Sequence, residues 1–170
     1  MASFGLGSLS TPASPTLPIE ECTPWVAAGD GDIALLQTAL TSLNLPPNAA
    51  DPNGFTFVHA AASYSQQHVL RWLLGQSGVD VNAGDIDGDT PLHHCDDSAS
   101  ARILVEEGSA DPFRRNAAGK TAREAKEEEL AEELGDEDDS DDEDRGKLEA
   151  LVQYLKGLEG GEGTKDENMQ

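Results

Sequence analysis

A run of five side chains that could do chemistry stands at His93–Asp97, where two histidines and one cysteine are followed by two aspartates. Imidazole, thiolate and carboxylate groups are the ligands that zinc takes in proteins. A zinc site needs ligands that converge on one point, whereas adjacent residues on a helix point about 100° apart. The run therefore predicts hydrogen bonding and packing, with His94 and Cys95 partly buried, and no metal site.

Three aspartates just before this run, Asp85, Asp87 and Asp89, alternate as at the start of a calcium-binding loop, and Asp96 falls at the twelfth position. Such a loop has glycine at its sixth position and a longer glutamate at its twelfth. Here the glycine is Gly88, at the fourth position, and proline and leucine follow where ligands should stand. The pattern therefore predicts no calcium site.

The usual signatures of catalysis are also missing from the sequence. No serine lies in a G-x-S-x-G turn of the kind that exposes a nucleophile. The glycine pairs at 5–7 and 29–31 lack the strand and helix that a phosphate-binding loop requires. Carboxylates are plentiful, but nothing in the sequence places two of them in contrasting environments. We expect a protein that is not an enzyme and that has no cofactor.

The charge balance restricts the class of partner. Formal net charge is −22, from 33 acidic and 11 basic residues. Nucleic acids and anionic membranes attract positive surfaces, so we expect no direct binding to either, whereas basic partners are favoured. Two cysteines are too few for a disulfide scaffold, and residues 1–18 lack the basic start and apolar run of a secretory signal. The expected location is the cytoplasm, with the nucleus as a second one.

The elements that position these residues follow from an internal repeat. The segments that begin at Asp51, Asp85 and Asn116 share one pattern, in which an Asp or Asn precedes a glycine by three residues and a threonine by five. The three glycines are separated by 34 and 31 residues. Asx residues and glycine favour a tight turn, a threonine can cap a helix, and Pro91 fits a first helical position. The pattern predicts turn-then-helix units.

A second apolar helix follows each of these first helices. Apolar residues recur at helical spacing at 69–74, at 101–105 and at 148–155, and a degenerate opening unit covers 24–40. Trp25 and Trp72 lie among aliphatic neighbours and are expected in the core. The fold class predicted is all-α, with about four helix-turn-helix repeats stacked on one another.

The motifs resemble those of the ankyrin-repeat family. The resemblance rests on D-G-D-T-P-L-H at Asp87–His93, V-D-V-N at Val79–Asn82 and A-D-P at Ala110–Pro112. The arrangement is similar to that of small fungal four-repeat ankyrin proteins, and it implies an ankyrin solenoid with hairpin-like loops. In such a fold His59 and His93 would hydrogen-bond adjacent hairpins. The repeat at Asp85 is short, which implies a clipped first helix or inter-helix turn.

An acidic segment interrupts the last repeat. Thirteen of the eighteen residues at 127–144 are Asp or Glu, and like charges resist compaction. We expect a disordered leader at 1–18, a repeat domain at 19–158 interrupted at 127–146 by a disordered acidic loop, and a disordered tail at 159–170. The alternative for the leading part of this loop is a helix over 121–134, because Ala, Glu and Leu favour one. The loop is interpreted either as a spacer or as a shield for a basic partner. Ser140, between pairs of aspartates, resembles a substrate of acidophilic kinases and is a candidate phosphorylation site.

The resemblance also implies a binding surface, since ankyrin repeats align their hairpin tips and first helices along one concave face. The positions that correspond here are Asn53, Phe55, Ser63, Tyr64, Ile86, Asp87, Asp89 and Lys120. They would offer an apolar anchor with acidic flanks, or they are merely solvated tips, with Phe55 and Tyr64 packed locally. The function predicted is a non-catalytic, monomeric protein-interaction module or adaptor. The alternative is an escort chaperone that uses the acidic loop to hold a highly basic client, such as a ribosomal protein or histone.

Overall fold

The computed structural model describes residues 20–133 and 142–160, and the prediction of an all-α repeat fold is confirmed. In chain order, the helices are α1 (Thr23–Asp30), α2 (Ile33–Ser42), α3 (Phe57–Ser63), α4 (Gln67–Leu74), α5 (Ser98–Arg102), α6 (Ala122–Glu133) and α7 (Asp142–Gly160), and a π-helical turn (Ile103–Glu107) continues α5. The described ranges contain no strand, only an isolated bridge between Ala50 and Thr56.

The helices form two rows, an inner row of first helices and an outer row of second helices. In the row of first helices, α1 packs on α3. In the row of second helices, α4 packs on the π-helical turn that continues α5, and α5 packs on α7. Within a repeat, α1 packs on α2, α3 on α4 and α6 on α7. Each repeat therefore buries its apolar surface only against its neighbours, as in a solenoid. None of the helices in the described ranges combines the length and apolar character that a membrane crossing requires.

The helix starts follow the predicted capping at two of the three repeat threonines. The Thr56 hydroxyl accepts a hydrogen bond from the His59 amide at 3.4 Å, and His59 Nδ1 accepts one from the Thr56 amide at 3.1 Å. Thr121 and Glu124 form the same reciprocal pair at the start of α6, at 3.3 and 2.9 Å. These bonds satisfy amide groups that the first turn of a helix leaves without partners.

The prediction that Pro91 begins a helix is wrong. Residues 91–94 form a turn instead, in which the His93 amide donates to the Thr90 carbonyl at 2.8 Å. The short repeat leaves no room for a full first helix, because Asp97 already caps α5. Its carboxylate accepts from the amides of Ala99 and Ser100 at 2.8 and 2.9 Å. The clipped first helix that the resemblance implied is thus observed as a turn.

The core is aliphatic and continuous from the opening repeat to α7. Small residues in the first helices, at 27–28 and 60–62, let those helices approach closely. Trp25 and Trp72 are half-buried and pack against this core. The expected apolar stripe of α7 is confirmed, because its residues are buried in the same cluster or beside it: Leu148, Leu151, Val152 and Leu155. The helix after the acidic segment therefore closes the array.

The expected bounds of the acidic loop, 127–146, are too wide at both ends, and the alternative of a helix over its leading part is observed. Helix α6 continues to Glu133 and α7 begins at Asp142. Ion pairs stabilise both acidic ends. Arg123 and Lys156 of α7 pair with the Glu127 carboxylate, the latter at 2.8 Å, and Lys147 pairs with Asp144 near the start of α7 at 2.9 Å. Residues 134–141, with Ser140, lie outside the described residues, as do the predicted leader at 1–18 and most of the predicted tail at 159–170.

Two glycines in equivalent turns provide a test of how closely the hairpins stack. Gly88 and Gly119 have φ of +75° and +77°, and an alanine at either position is strained by about 1–2 kcal/mol. At Gly88 the added Cβ would also lie 2.9 Å from the amide nitrogen of Ala117, whereas at Gly119 nothing lies within 4 Å. We expect Gly88→Ala to lower the free energy of unfolding clearly more than Gly119→Ala, as measured by urea denaturation. Equal losses would contradict this stacking.

Candidate interaction surface

The hairpin tips are held in a row by their own hydrogen bonds. Asp51 and Asp85 each use one carboxylate oxygen to accept from two amides across the turn, at 2.8–3.0 Å. Adjacent tips are then joined by main-chain bonds. The Ile86 amide donates to the Asn53 carbonyl at 2.7 Å, and the Ala117 amide donates to the Asp87 carbonyl at 2.8 Å. Side chains at the tips therefore keep fixed spacing.

Two buried histidines link each first helix, or its substitute turn, to the next hairpin. Nδ1 of His59 accepts from the Thr56 amide, which leaves the proton on Nε2, and Nε2 lies 3.0 Å from the Asp89 carbonyl oxygen. His93 repeats the arrangement with the Thr90 amide and with the carbonyl of Lys120, at 3.2 and 3.1 Å. The bridging roles implied for both histidines are confirmed.

These two histidines should make the fold sensitive to mild acid. Burial lowers the pKa of both His59 and His93 below the ordinary value of 6.5. As pH falls below about 6.5, the unfolded chain takes up protons that the folded chain resists, so the free energy of unfolding decreases. We expect lower stability at pH 5.5 than at pH 7.5 in urea titrations, with added salt to screen the acidic surface. His93→Gln should reduce the difference between the two pH values, and equal stability of the unmodified chain at both would contradict the prediction.

A second group of titratable side chains surrounds His59. His94 Nε2 lies 2.9 Å from a carboxylate oxygen of Asp85. Burial would raise the pKa of Asp85, but hydrogen bonds from His94 and from the Asp89 and Asp87 amides outweigh it and hold that pKa below its ordinary value. The Phe55 ring lies 5.0 Å from the His59 ring and 5.2 Å from that of His94.

The ligand atoms of His59, Asp85 and His94 all lie within 4.8 Å of one another, a spacing that a metal ion could use. The hydrogen bonds argue against that use. Nδ1 of His59 accepts from an amide and Nε2 carries the proton, so a metal at Nε2 would leave the buried Thr56 amide opposite an N–H group. The cluster therefore acts as a hydrogen-bonded anchor for the hairpin.

Cys95, the thiol of the His93–Asp97 run, is buried, and its Sγ lies 3.5 Å from the Pro91 carbonyl. Burial raises the pKa of this thiol well above its ordinary value. A thiol held in its protonated form is a poor nucleophile and a poor metal ligand. His94 is half-buried, as expected. The His93–Asp97 run therefore serves packing and hydrogen bonding.

The eight residues assigned to the binding surface differ in exposure. Four face solvent: Asn53, Tyr64, Ile86 and Asp87, with Ile86 73% and Tyr64 67% exposed. We call these four the inner surface. The other four are half-buried, and their side chains form contacts within the chain.

The four half-buried residues each contact an identified neighbour. Phe55 packs between two imidazole rings, and Ser63 donates to the His59 carbonyl at 3.0 Å. Asp89 accepts from the Asn116 side chain at 2.7 Å, and Lys120 pairs with Glu128. These contacts stabilise the tips and leave the four inner-surface residues as the most accessible to a partner.

One feature of the surface has no counterpart in the sequence motifs. A cavity of about 410 Å³ opens beside Tyr64, and we call it the notch. Its lining brings together residues from the end of α3, from the segment that follows the turn at 91–94, from α6 and from α7. Among them are Tyr64, Asp96, Glu129, Asp144, Lys147 and Leu148. The signal that could have pointed to it was the shortened repeat, since a missing helix leaves space in its row.

Comparison with known proteins decides the family. The family model for ankyrin repeats in three copies matches residues 25–122, more than half of the chain. The chain belongs to the ankyrin-repeat family. The matched range ends at the start of α6, so the α6–α7 pair that closes this ankyrin-repeat protein lies beyond the three matched copies.

Relatives of this ankyrin-repeat protein include two fungal ones. An ankyrin repeat-containing protein of Schizosaccharomyces pombe is 40% identical over 92 residues, which cover 54% of this chain and 44% of the relative. One of Saccharomyces cerevisiae is 33% identical over 109 residues, 53% of this chain and 60% of the relative. The NF-kappa-B inhibitor delta of Mus musculus is 40% identical over 73 residues, 42% and 22%. The chain thus spans less than two thirds of each relative. Ankyrin repeats and such regulatory relatives support a protein-interaction module.

The positive charges of the ankyrin-repeat protein are largely neutralised within the chain. Among the described residues, every lysine and arginine except Arg114 forms an ion pair with a carboxylate. Acidic residues outnumber basic ones threefold, 33 to 11, so a large excess of negative charge remains. The field that an approaching molecule meets is therefore negative.

Proposed function

We propose that this ankyrin-repeat protein is a non-catalytic adaptor that holds a partner protein against its inner surface. The observation that carries the proposal is the exposure of Ile86 and Tyr64, two large apolar side chains on elements that are otherwise tightly fixed. Apolar and aromatic anchors of this kind dominate the affinity of protein interfaces. Because hydrogen bonds between hairpins already order the tips, binding would lose little backbone entropy there.

The chemistry around the anchors favours a basic partner protein. Asp87 is exposed next to Ile86, and the described lysines and arginines are almost all engaged in ion pairs. Phosphate backbones need clustered and accessible cations, so nucleic acid is a poor candidate. A neutral or basic protein segment meets no such obstacle, and complementary charge would speed its association.

The alternative of an escort chaperone is not supported. The mouse relative described above is named as an inhibitor of another protein, and neither fungal relative is named as a chaperone. That alternative relies on the acidic segment at 127–144, of which residues 134–141 lie outside the described residues.

Affinity capture from cell extract tests the adaptor function. Tagged full-length chain, an Ile86→Ser variant and a Leu35→Ser variant would be compared by quantitative mass spectrometry. Leu35 is a matched control, because it is a large apolar residue 36% exposed on α2, in the outer row. We expect a protein recovered with the unmodified chain and with Leu35→Ser to be lost with Ile86→Ser. Equal recovery with all three baits would contradict a partner seated on the inner surface.

A further inference from the structure

The notch exists because one first helix is missing from its row. Where α3 has seven residues and α6 has twelve, the repeat between them has only the turn at 91–94. The chain then continues directly through Asp96 to the cap of α5. The space that further helical turns would fill opens onto solvent next to the C-terminal end of α3.

One wall of the notch is aromatic and fixed in place. Tyr64 ends α3, and its ring lies over Gly29 of α1, so close that a Cβ there would meet the ring at 2.9 Å. The ring is nevertheless 67% exposed. Leu148 of α7, only 5% exposed, gives the notch an apolar surface as well. An exposed aromatic ring held against backbone is a preorganised stacking platform.

The opposite wall carries more carboxylates than cations. Lys126, almost fully buried, lies between Asp96 at 3.4 Å and Glu129 at 2.8 Å. Lys147 is shared in the same way between Glu143 and Asp144. Two ammonium groups therefore serve four carboxylates. The Asp96 side chain is 59% exposed beside Lys126, so its carboxylate can accept a further hydrogen bond from a ligand in the notch.

We propose that the notch receives an arginine side chain from a basic segment of the partner protein, stacked on Tyr64 and bonded to Asp96 and Glu129. The inference rests on the proposed adaptor function and names the partner's chemistry. A planar guanidinium can stack on an aromatic ring while its fork donates to carboxylates, and its aliphatic stem can pack on Leu148. Lysine offers a point charge without the planar fork, so it fits the same walls less well.

Fluorescence anisotropy with labelled peptides tests the proposal on the full-length chain. The probes are a fluorescein-labelled peptide of alternating glycine and arginine and its lysine counterpart. We expect the arginine peptide to bind several-fold more tightly than the lysine peptide. Tyr64→Ala and Asp96→Asn should each weaken arginine-peptide binding by about fivefold or more, the usual effect of removing a stacking or charged contact. Tyr64→Phe, which keeps the ring, should bind like the unmodified chain.

A matched control separates the notch from general attraction to an acidic protein. Glu107→Gln removes the same charge as Asp96→Asn, but from the outer row, where Glu107 pairs with Arg71. Circular dichroism and thermal melts would show that each variant folds. The proposal is overturned if Asp96→Asn and Glu107→Gln weaken binding equally, if Tyr64→Ala has no effect, or if both peptides bind alike.

The two proposals fail in different ways. Loss of a captured protein with Ile86→Ser, together with peptide binding indifferent to Asp96, would keep the adaptor function and remove the arginine seat. Peptide binding that needs Asp96 and Tyr64, with equal capture by all three baits, would keep the seat and remove the surface at Ile86.

Discussion

Replacing Leu151 by alanine should lower the free energy of unfolding by about 2–5 kcal/mol, the range for a leucine removed from a tightly packed core. Leu151 lies in α7, after the acidic segment, and its side chain is fully buried in the core cluster that also holds residues of the opening repeat. Helix α7 packs on both α5 and α6. If it closes the array, a cavity there should destabilise the whole repeat fold, and chemical denaturation should show one cooperative transition at a lower midpoint.

Gln153→Ala, at an exposed position of the same helix, is the matched control and should change stability by no more than about 0.5 kcal/mol. An α7 that does not belong to the folded array would give a different outcome. Leu151→Ala would then leave the denaturation midpoint of the rest of the chain unchanged, just as the control does.

The second large effect is expected at His59. Its replacement by alanine would leave the buried Thr56 amide without its partner and would open a cavity beneath Phe55. It would also remove the bond from the imidazole to the Asp89 carbonyl, which would keep only the Asp85 amide, at 3.0 Å. One unsatisfied buried amide, one lost hydrogen bond between repeats and the lost packing together predict a loss of about 2–4 kcal/mol. Because the Asp89 bond joins two repeats, amide hydrogen exchange should also become faster in the hairpin at 85–89.

His68 offers the comparison for this prediction. It also lies 2.7 Å from a carbonyl oxygen of a neighbouring repeat, that of Gly31, but in an exposed position where water can replace the bond. His68→Ala should therefore lower stability by about 1 kcal/mol or less. Similar losses for the two variants would show that burial of the His59 bridge is not what stabilises the stack.

The parts of the fold that the sequence predicted are those set by local chemistry. The Asx, glycine and threonine spacing foretold the turns at Gly54, Gly88 and Gly119, because each residue type has a preferred place in a tight turn or a helix cap. The closing helix was predicted by its apolar spacing alone. The prediction of a helix at Pro91 was wrong, because a residue that favours the first turn of a helix does not show that the repeat is too short to continue it.

Charge density predicted disorder at the acidic ends of α6 and α7, whereas the Ala, Glu and Leu content of 121–134 favoured a helix. A run of carboxylates predicts disorder when each is taken as unpaired. In the structure Glu127 is paired with Arg123 of its own helix and with Lys156 of α7. Lys156 lies 29 residues after Glu127 in the sequence, so only the packing of α7 on α6 brings these two charges together.

The sequence predicted the exposure of the candidate surface residues only in part. Repeat correspondence located Tyr64 and Ile86, which are exposed, and equally Phe55, which fills a gap between two imidazole rings. Equivalent positions in the repeats cannot show which side chains are exposed and which are packed, because exposure depends on the neighbouring repeats. The notch could not be predicted for the same reason, since its walls come from four separate segments of the chain.

A partner seated on the inner surface is the central claim, and nuclear magnetic resonance of the ¹⁵N-labelled full-length chain tests it most directly. The captured partner, or its binding segment, would be titrated into the chain while backbone amide shifts are followed. We predict that the largest shifts occur at Tyr64, Ile86 and Asp87, with α2 and α4 of the outer row little changed. Shifts concentrated on α2 and α4, with Tyr64 and Ile86 unmoved, would contradict the account.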